Sequence, residues 1–360
     1  MVHQYINNGY HIVLDVNSGA IHVVDEVVYD VIPLFEKHSS EEITGLLREK
    51  YSEEEIREAV EEVSQLKKEG SLFTPDTYEA PLIDFKKRPT VVKALCLHIA
   101  HDCNLACRYC FAEEGEYHGR RALMSYETGK AALDFLIANS GSRRNLEGDF
   151  FGGEPLMNFE VVKQLVAYGR EQEKLHDKHF RFTLTTNGVL LNDDIMEFAN
   201  REMDNVVLSI DGRKEVHDHM RPFRKGAGSY DLIVPKFQKF AKSRNQEKYY
   251  VRGTYTHFNT DFPKDVLHLA DLGFKQISVE PVVAEETDDY AIKEEDLPVL
   301  FKEYDDLAAE MVRRNKAGNG FNFFHFMIDL EGGPCVYKRL SGCGSGTEYL
   351  AVTPWGDLYP

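Results

Sequence analysis

The sequence predicts an α/β fold in which helices cover a sheet of parallel strands. The main observation is that strand-like and helix-like runs alternate beyond residue 90. Six strand-like runs lie near residues 93–100, 148–151, 180–186, 205–210, 249–256 and 275–280. Amphipathic segments such as 125–138 and 159–175 separate them. This alternation indicates either an open, doubly wound sheet or a complete or partial barrel, and the pattern does not choose between them.

Length and charge limit what the chain can do. Its 360 residues, 42% of them hydrophobic, are enough for about two or three domains with buried cores. Sixty acidic against 42 basic residues give a net charge of −18, which disfavours binding to nucleic acids or anionic membranes. No apolar run approaches the roughly 20 residues of a membrane span. We therefore expect a cytoplasmic protein without a nucleic-acid or membrane partner.

Residues 1–73 predict a small α+β domain. Apolar, β-branched runs at 10–16 and 20–24 flank the triplet Asn17-Ser18-Gly19, which is typical of a hairpin turn. Two capping boxes follow, formed by Ser39 with Glu42 and by Ser52 with Glu55. The second of them begins an amphipathic helix, so short strands and three helices account for this domain.

Three further segments are predicted along the chain. Residues 74–90 contain three prolines and little periodicity, so we assign them as a linker. The alternative is that this stretch wraps one large domain. Residues 91–317 hold the six strand–helix units. Residues 318–360 contain Gly and Cys without a clear period and begin another module.

Half of the six cysteines crowd into the loop after the first strand of the alternating region. Cys103, Cys107 and Cys110 occur within eight residues, and such spacing in a reducing cytoplasm is typical of metal binding. A structural zinc ion needs four ligands, so zinc would require His101 or a remote residue as well. Three soft ligands with an open fourth position suit a cubane iron–sulfur cluster better. The spacing therefore favours iron–sulfur over zinc and over a purely structural thiol cluster.

This C-x3-C-x2-C run, with Tyr109 before its last cysteine, resembles the signature of the radical S-adenosylmethionine (radical SAM) enzymes. The run Gly152-Gly153-Glu154-Pro155, after the second strand, resembles the family motif that receives the methionyl amino group. Its glycines allow close backbone approach and Glu154 offers an anion to an ammonium, whereas a plain β-turn is the alternative. The resemblance implies that the three cysteines hold a [4Fe-4S] cluster and that S-adenosyl-L-methionine (SAM) binds beside it.

Further matches to the family fall near the ends of later strands. They are Asn187 in Thr-Thr-Asn-Gly, Ser209 in Ser-Ile-Asp-Gly, Arg221, Arg252 and Glu280. Active sites of βα barrels collect at the C-terminal ends of the strands, so we expect these motifs to converge on one cavity. By resemblance, Ser209 and Arg221 bind the SAM carboxylate, and Tyr109 lies near the adenine. Asn187 and Arg252 join the cofactor site.

Simpler readings of these positions remain open. They are a surface salt bridge for Arg221, an Asn-Gly turn for Asn187 and an ordinary exposed position for Arg252. The fold that the resemblance implies is a partial (β/α)6 barrel, which agrees with the six units.

The last residues resemble the start of another iron–sulfur region. In the SPASM subgroup of radical SAM enzymes, a Cys, a Gly and a second Cys open an auxiliary-cluster domain. Cys343 and Gly356 fit this pattern up to Pro360. We therefore expect a truncated SPASM-like segment, with auxiliary iron–sulfur cluster(s) in an extended chain and with Cys343 and Cys335 as ligands. Two free thiols or an incomplete site are the alternative, and Cys96 reads as a core residue.

The resemblance also implies a reaction, in which a 5′-deoxyadenosyl radical made from SAM abstracts a substrate hydrogen. The hairpin-plus-helices pattern at the amino terminus resembles the winged-helix-like leader-recognition domains of enzymes that modify ribosomally made peptides. In those domains a leader strand adds to a sheet edge. A stabilising cap on the barrel is the alternative for this region.

The order of modules resembles that of the thioether-forming maturases of six-cysteine peptides. The implied partners are a cysteine-rich precursor peptide with a leader and a one-electron donor such as flavodoxin or ferredoxin. An anaerobic sulfatase-maturase-like enzyme is the alternative within the family. A non-catalytic iron–sulfur electron carrier or peptide-binding protein is the alternative of another class, and the SAM-binding motifs argue against it.

Overall fold

A computed structural model describes residues 1–76, 90–117, 119–329 and 344–360. These residues form two units, of which the first holds 1–76 with 328–329 and the second holds the remainder. Most of the predicted linker, together with Cys335 and Cys343, lies outside the described residues. The domain boundaries at residues 73, 90 and 317 stay predictions.

The first unit is a three-stranded antiparallel sheet with three helices. The strands, in the sheet order β1-β2-β3, are β1 (Val2–Asn7), β2 (Tyr10–Asp15) and β3 (Ile21–Val24). The helices are α1 (Glu26–Phe35), α2 (Ser40–Leu47) and α3 (Glu53–Lys68). Both predicted capping boxes are present, so α2 and α3 begin as predicted. Val13, Val31, Ile43 and Ile56 lie in a separate apolar core.

The second unit alternates strands and helices. Its strands are β4 (Ala94–His101), β5 (Ala122–Leu123), β6 (Asn145–Gly152), β7 (His179–Thr186), β8 (Asn205–Ser209), β9 (Tyr249–Tyr255), β10 (Gln276–Pro281), β11 (Asn322–Phe323), β12 (Tyr349–Val352) and β13 (Leu358–Tyr359). Its helices are α4 (Tyr126–Asn139), α5 (Phe159–His176), α6 (Asp193–Glu202), α7 (Lys214–Met220), α8 (Tyr230–Ser243), α9 (Pro263–Asp271) and α10 (Leu297–Lys316).

The strands of this unit form one sheet in the order β11-β10-β9-β8-β7-β6-β4-β12-β13, with β5 beside β4. Every neighbouring pair from β11 to β12 is parallel. The predicted α/β fold with a parallel sheet is therefore confirmed. The six predicted strands are β4 and β6 to β10, and the short strands β11 and β12 extend the sheet on either side.

The two faces of this sheet differ in polarity because successive side chains point to opposite sides. Leu97, Phe150 and Phe182 are fully buried in the apolar core that the helices cover. Polar side chains such as Asp149 and Thr183 alternate with them and remain partly accessible. The polar face leads to the C-terminal ends of the strands. No helix in the described ranges is long and apolar enough to cross a membrane.

Candidate active site

A cavity of about 450 Å3 opens at the C-terminal ends of the parallel strands. The predicted site residues on its wall are Cys103, Cys107, Tyr109, Cys110, Gly152, Gly153, Asn187, Ser209, Arg221 and Arg252. They come from the loops after β4, β6 and α7, from the ends of β7 and β8 and from β9. The structure thus brings together residues that are up to 149 positions apart, since 252 − 103 = 149.

The loop after β4 presents the three cysteines to this cavity. All three are free thiols. Cys103 Sγ accepts a hydrogen bond from Leu105 N at 3.5 Å and one from Asn187 Nδ2 at 3.6 Å. Burial raises the pKa of Cys103 to about 12 and that of Cys107 to about 11. Without a cluster these two thiols are protonated at neutral pH, whereas a bound metal deprotonates a coordinating thiol.

The donor set fits a cubane cluster rather than a single ion. Among the described residues, no three His, Cys, Asp or Glu side chains could hold one metal ion together. All ligands of a zinc ion lie within about 2.3 Å of it, whereas each cysteine of a cubane binds a different iron and the sulfurs lie farther apart.

Unpartnered polar atoms also mark the cysteine loop. Three buried side-chain atoms lack a hydrogen-bond partner within the described ranges, namely His101 Nδ1, Asn104 Nδ2 and Tyr117 Oη. All three flank the cysteines in the sequence. Because leaving a buried donor or acceptor unpaired costs about 1–3 kcal/mol, these atoms indicate a neighbourhood arranged for a bound group.

The two glycines after β6 press against the cysteine loop. Gly153 N donates to Ala100 O at 2.7 Å, and a Cβ on Gly152 would lie 2.4 Å from the same oxygen. A Cβ on Gly153 would lie 2.1 Å from Asp102 O. The backbone on the cavity wall therefore has no room for a side chain at either position. The glycines allow close approach to the cysteine loop itself, and their approach to a ligand stays a prediction.

Glu154 lies behind the cavity wall rather than on it. Its side chain is fully buried, and its carboxylate accepts hydrogen bonds from Leu156 N at 3.0 Å, Thr186 Oγ1 at 2.8 Å and Asn187 N at 2.7 Å. Burial raises the pKa of Glu154 to about 7 although these hydrogen bonds favour the charged form. The geometry assigns Glu154 a positioning role between the ends of β6 and β7, and its direct contact with an ammonium stays a prediction.

Asp211 organises one side of the cavity, although the sequence pattern directed attention to Ser209 in the same motif. Tyr109 Oη donates to both Asp211 oxygens at 2.7 and 2.8 Å, and Arg221 Nε donates to Oδ1 at 2.9 Å. The side chain of Asp211 is fully buried and that of Arg221 is 13% exposed, so Arg221 does not form a surface salt bridge. Burial opposes the charge of Arg221, but the Asp211 carboxylate outweighs it and raises the pKa of Arg221 well above its usual value.

An ion pair lies next to Ser209, because Arg252 is the register partner of Ser209 in the neighbouring strand. Arg252 Nη2 lies 2.7 Å from Glu280 Oε2, and Glu280 Oε1 also accepts from Ser278 Oγ at 3.0 Å. The hydrogen bond and charge of Arg252 outweigh the effect of burial and lower the pKa of Glu280. The exposed side chains of Phe111, which follows Cys110, and of Val283 also line the cavity. Arg252 therefore faces the cavity as half of an ion pair.

Comparison with known proteins places this site in a family. Residues 97–272 match the model of the radical SAM superfamily. An uncharacterized protein of Methanocaldococcus jannaschii is 31% identical over 189 residues, which cover 52% of this chain and 62% of that protein. The radical SAM cyclopropyl synthase TigE of Paramaledivibacter caminithermalis is 23% identical over 184 residues, which cover 47% of this chain and 38% of that protein. A cysteine-type anaerobic sulfatase-maturating enzyme of Clostridium novyi is 28% identical over 137 residues, which cover 37% of this chain and 36% of that protein. The chain thus spans less than two thirds of each of these relatives.

Two solved structures share the fold. The structure of anSMEcpe with bound AdoMet aligns with a TM-score of 0.62 and 19% identity over 75% of this chain and 74% of that chain. Streptococcus suis SuiB bound to the precursor peptide SuiA aligns with a TM-score of 0.55 and 15% identity over 100% of this chain and 81% of that chain. At these identities the similarity concerns the fold alone.

The match covers most of β4, the cysteine loop, the glycines at the end of β6 and every helix from α4 to α9. It confirms the resemblance that the cysteine spacing predicts, and with it the [4Fe-4S] cluster and SAM as the cofactors of this type of enzyme. Residues 97–272 of the chain therefore belong to the radical SAM superfamily.

Proposed function

We propose that this chain is a peptide maturase that forms a thioether cross-link in a ribosomally made, cysteine-rich peptide. The observation that carries the proposal is the combination of the cysteine-lined cavity with a separate amino-terminal unit that has its own sheet and core. SuiB, whose structure was determined with a precursor peptide, shares the fold over the whole length of the chain. This similarity supports a peptide substrate.

The residues around the cavity divide into a cofactor side and a substrate side. Cys103, Cys107 and Cys110 would hold the cluster, and Ser209 with Arg221 would hold the SAM carboxylate. When bound, these cofactors supply the 5′-deoxyadenosyl radical that removes a hydrogen atom from the substrate. The protein binds and orients the reactants and excludes water. In this arrangement, the β4 to β10 region acts as a partial (β/α)6 barrel whose strand ends carry the chemistry.

Phe111, Val283 and the Arg252–Glu280 pair form the substrate side in this proposal. The two apolar side chains are 71% and 94% exposed, which suits contact with an extended peptide. The ion pair faces the same space and offers donors and acceptors to peptide groups. Arg252 also stays a proposed residue of the SAM site, next to Ser209.

The first unit is proposed to recognise the leader of the peptide. Its winged-helix-like arrangement has β1 and β3 at the two edges of the sheet, and a leader strand could pair with either edge. Cys335 and Cys343 remain proposed ligands of an auxiliary cluster, and a flavodoxin or ferredoxin is the proposed electron donor.

The anaerobic sulfatase maturases are the second candidate. A sulfatase-maturating enzyme of Clostridium novyi is 28% identical over part of the chain, and anSMEcpe shares the fold of the barrel region. A non-catalytic electron carrier would not need the buried Asp211–Arg221 arrangement beside the cysteines. We therefore retain sulfatase maturation as the alternative.

The test is anaerobic incubation of the reconstituted protein with SAM, a reductant and a cysteine-rich precursor peptide that carries its leader. We expect 5′-deoxyadenosine and a peptide that has lost two hydrogen atoms per thioether, detected by mass spectrometry. The variant in which Cys103, Cys107 and Cys110 are all Ala should produce neither. Cys96→Ala is the matched control, because Cys96 is a buried thiol within β4 that does not line the cavity. Formylglycine in a sulfatase-derived peptide, without any thioether, would favour the second candidate.

A further inference from the structure

Two side-chain amides connect the end of β7 to the first cysteine of the loop after β4. Asn187, the residue after β7, donates from Nδ2 to Asn104 Oδ1 at 2.7 Å. The same nitrogen lies 3.6 Å from Cys103 Sγ, and Asn104 is the next residue after Cys103. We call Asn187 and Asn104 the amide pair. It brings an N–H donor to a sulfur that the proposed cluster would use.

The backbone fixes the direction in which the Asn187 amide faces. Strand β7 ends at Thr186, and the chain turns at Gly188, whose φ is 77°. Within this turn Asn187 Oδ1 accepts from Val189 N at 3.0 Å, which is the contact of an Asx turn. Because this oxygen is held by a backbone donor, the amide nitrogen faces the cysteine loop. Asn187 is 7% exposed, so water has little access to the contact.

The turn alone does not require an asparagine. Asp, Ser and Thr side chains offer a similar oxygen to a backbone N–H two residues further along. Only asparagine combines this oxygen with a separate NH2 group. One of its two hydrogens is directed at Asn104 Oδ1 and the other at Cys103 Sγ. The residue type at position 187 therefore indicates a second role, at the sulfur.

Asn104 holds the donor in place. Because its Oδ1 accepts from Asn187, an exchange of its amide oxygen and nitrogen would set two NH2 groups against each other. Its own Nδ2 is left buried without a hydrogen-bond partner within the described ranges. Such an unpaired donor is unfavourable, and a bound group that accepts hydrogen bonds beside Cys103 would satisfy it.

Cluster binding would change the contacts of the Cys103 sulfur. As a free thiol, Cys103 donates from Sγ to Asn104 Oδ1 at 3.9 Å. A metal displaces the thiol proton, so this contact is lost on binding. The donors to this sulfur among the described residues are then Leu105 N at 3.5 Å and Asn187 Nδ2 at 3.6 Å. In the same ranges, no other side-chain donor lies as close to a sulfur of the three loop cysteines.

We propose that Asn187 tunes the cluster, because its amide donates to the Cys103 sulfur and raises the reduction potential of the cluster held by the three loop cysteines. Reduction adds one electron, which the reductant supplies, and part of its negative charge spreads onto the cysteine sulfurs. An N–H donor stabilises this reduced state more than the oxidised state. Asn187 is thus a positioning residue that acts through Cys103. The inference rests on the cluster ligands of the proposed function and is independent of the peptide substrate.

The test is a potentiometric titration of the reconstituted protein without SAM, in which electron paramagnetic resonance measures the reduced cluster. Asn187→Ser keeps an oxygen for Val189 N, but its shorter side chain does not reach the sulfur. At the wild-type midpoint potential, the ratio of reduced to oxidised cluster should fall about threefold in this variant. Asn187→Thr should change the ratio in the same direction, and it is the variant to measure if Asn187→Ser does not assemble a cluster.

Asn192→Ser is the matched control. Asn192 Oδ1 caps α6 by accepting from Ile195 N at 3.0 Å, so the substitution makes the same chemical change at a similar backbone contact. Asn192 does not line the cavity. The iron content and the midpoint potential of this variant should equal those of the wild type.

Full iron content in Asn187→Ser together with the wild-type potential would overturn the inference. A loss of SAM affinity at unchanged potential would also overturn it, because Asn187 would then contact SAM instead of the sulfur. If neither Asn187→Ser nor Asn187→Thr binds iron, Asn187 serves cluster assembly and the tuning role is wrong. A wild-type protein that binds no iron would overturn the proposed cysteine ligands themselves, and the iron assay distinguishes that failure from a failure of the tuning role alone.

Discussion

At the scale of single residues, Asp211 has the most consequential contacts in the candidate site. Its buried carboxylate holds Tyr109 and Arg221, and its oxygen Oδ1 also accepts from Thr254 N at 3.1 Å. Two cavity residues and one strand therefore depend on one negative charge. The Ser-Ile-Asp-Gly motif contains Asp211, but only the folded chain shows that Tyr109, 102 residues earlier, reaches it.

Asp211→Asn should weaken SAM binding by at least tenfold. The substitution leaves the Arg221 guanidinium buried without its counter-ion, and breaking a buried ion pair costs about 3–5 kcal/mol. Isothermal titration with SAM would measure the affinity, and thermal unfolding would measure the loss of stability. Asp231→Asn is the control, because Asp231 is 76% exposed in its pair with Lys214. An unchanged SAM affinity would show that Asp211 does not organise the cofactor side.

His217 predicts a pH dependence of stability. Its Nδ1 accepts from Asp211 N at 3.3 Å and its Nε2 lies 2.9 Å from Ser229 Oγ. Burial lowers the pKa of His217 to about 4 from 6.5. The unfolded chain therefore binds the proton more tightly than the folded chain, so the stability from neutral His217 is complete above pH 6.5 and falls as the pH drops towards 4.

His217→Gln should remove this acid-induced loss, which amounts to about 2–3 kcal/mol between pH 7 and pH 4.5. Urea unfolding of the wild type and the variant at both pH values would measure the difference. His3→Gln, on the exposed side of β1, is the control. Equal slopes of stability against pH in the wild type and His217→Gln would contradict the assignment.

The chemistry of the site could be predicted from the sequence where it depends on local spacing, as in the cysteine run. The direction of a side chain could not, because it depends on neighbours from distant segments. Glu154 shows the difference. Its motif predicts a carboxylate near the cavity, and only the folded chain shows that donors from β7 and from the residue after it hold that carboxylate.

At the scale of elements, the close contact between the segment after β6 and the cysteine loop fixes the cavity wall. Gly115 adds to it, because a Cβ there would lie 2.9 Å from Gly153 Cα. Three backbone segments thus meet at Asp102, Gly115 and Gly153. The position of the cysteines depends on this packing.

Gly153→Ala should therefore reduce cluster assembly without unfolding the chain. The added Cβ would lie 2.1 Å from Asp102 O, so the cysteine loop has to move while β6 keeps its place in the sheet. Iron content after reconstitution would measure the effect, and circular dichroism would verify the fold. Gly45→Ala is the control, because its Cβ meets nothing within 4 Å and Ala in a helix gains about 1 kcal/mol over Gly. Full iron content in Gly153→Ala would contradict this account.

Elements with strong local signals could be predicted, and those that depend on distant pairing could not. The capping boxes of α2 and α3 act within four residues, so the sequence alone was sufficient. Val2–Asn7 lacks a regular alternation of polar and apolar residues, and it is a strand because it pairs with β2. The two-residue strand β11 exists because β10 offers a parallel edge.

At the scale of the whole molecule, the chain contains two separate apolar cores, one in each unit. The cavity residues all belong to the second unit. The proposal above accordingly gives recognition of a leader to the first unit and generation of the radical to the second.

Deletion of residues 1–73 should leave reductive SAM cleavage intact and reduce modification of a peptide that carries its leader. Parallel measurement of 5′-deoxyadenosine and of cross-linked peptide would separate the two effects. A leaderless core peptide is the control substrate, and both proteins should modify it equally. Equal turnover of the leader-bearing peptide by the deleted form would favour the stabilising-cap alternative.

The pairing of β12 with β4 has a consequence for how the protein is made in the cell. Leu95 and Cys96 pair with Leu350 and Ala351, so β4 leaves the ribosome 255 residues before its neighbour (350 − 95). At about 5–20 residues per second, one edge of β4 stays unpaired for roughly 10–50 s, because β5 covers only its last two residues. An unpaired edge in a buried, apolar strand invites association with other nascent chains. The yield of folded protein should therefore depend on how many chaperones are free to shield this strand during translation.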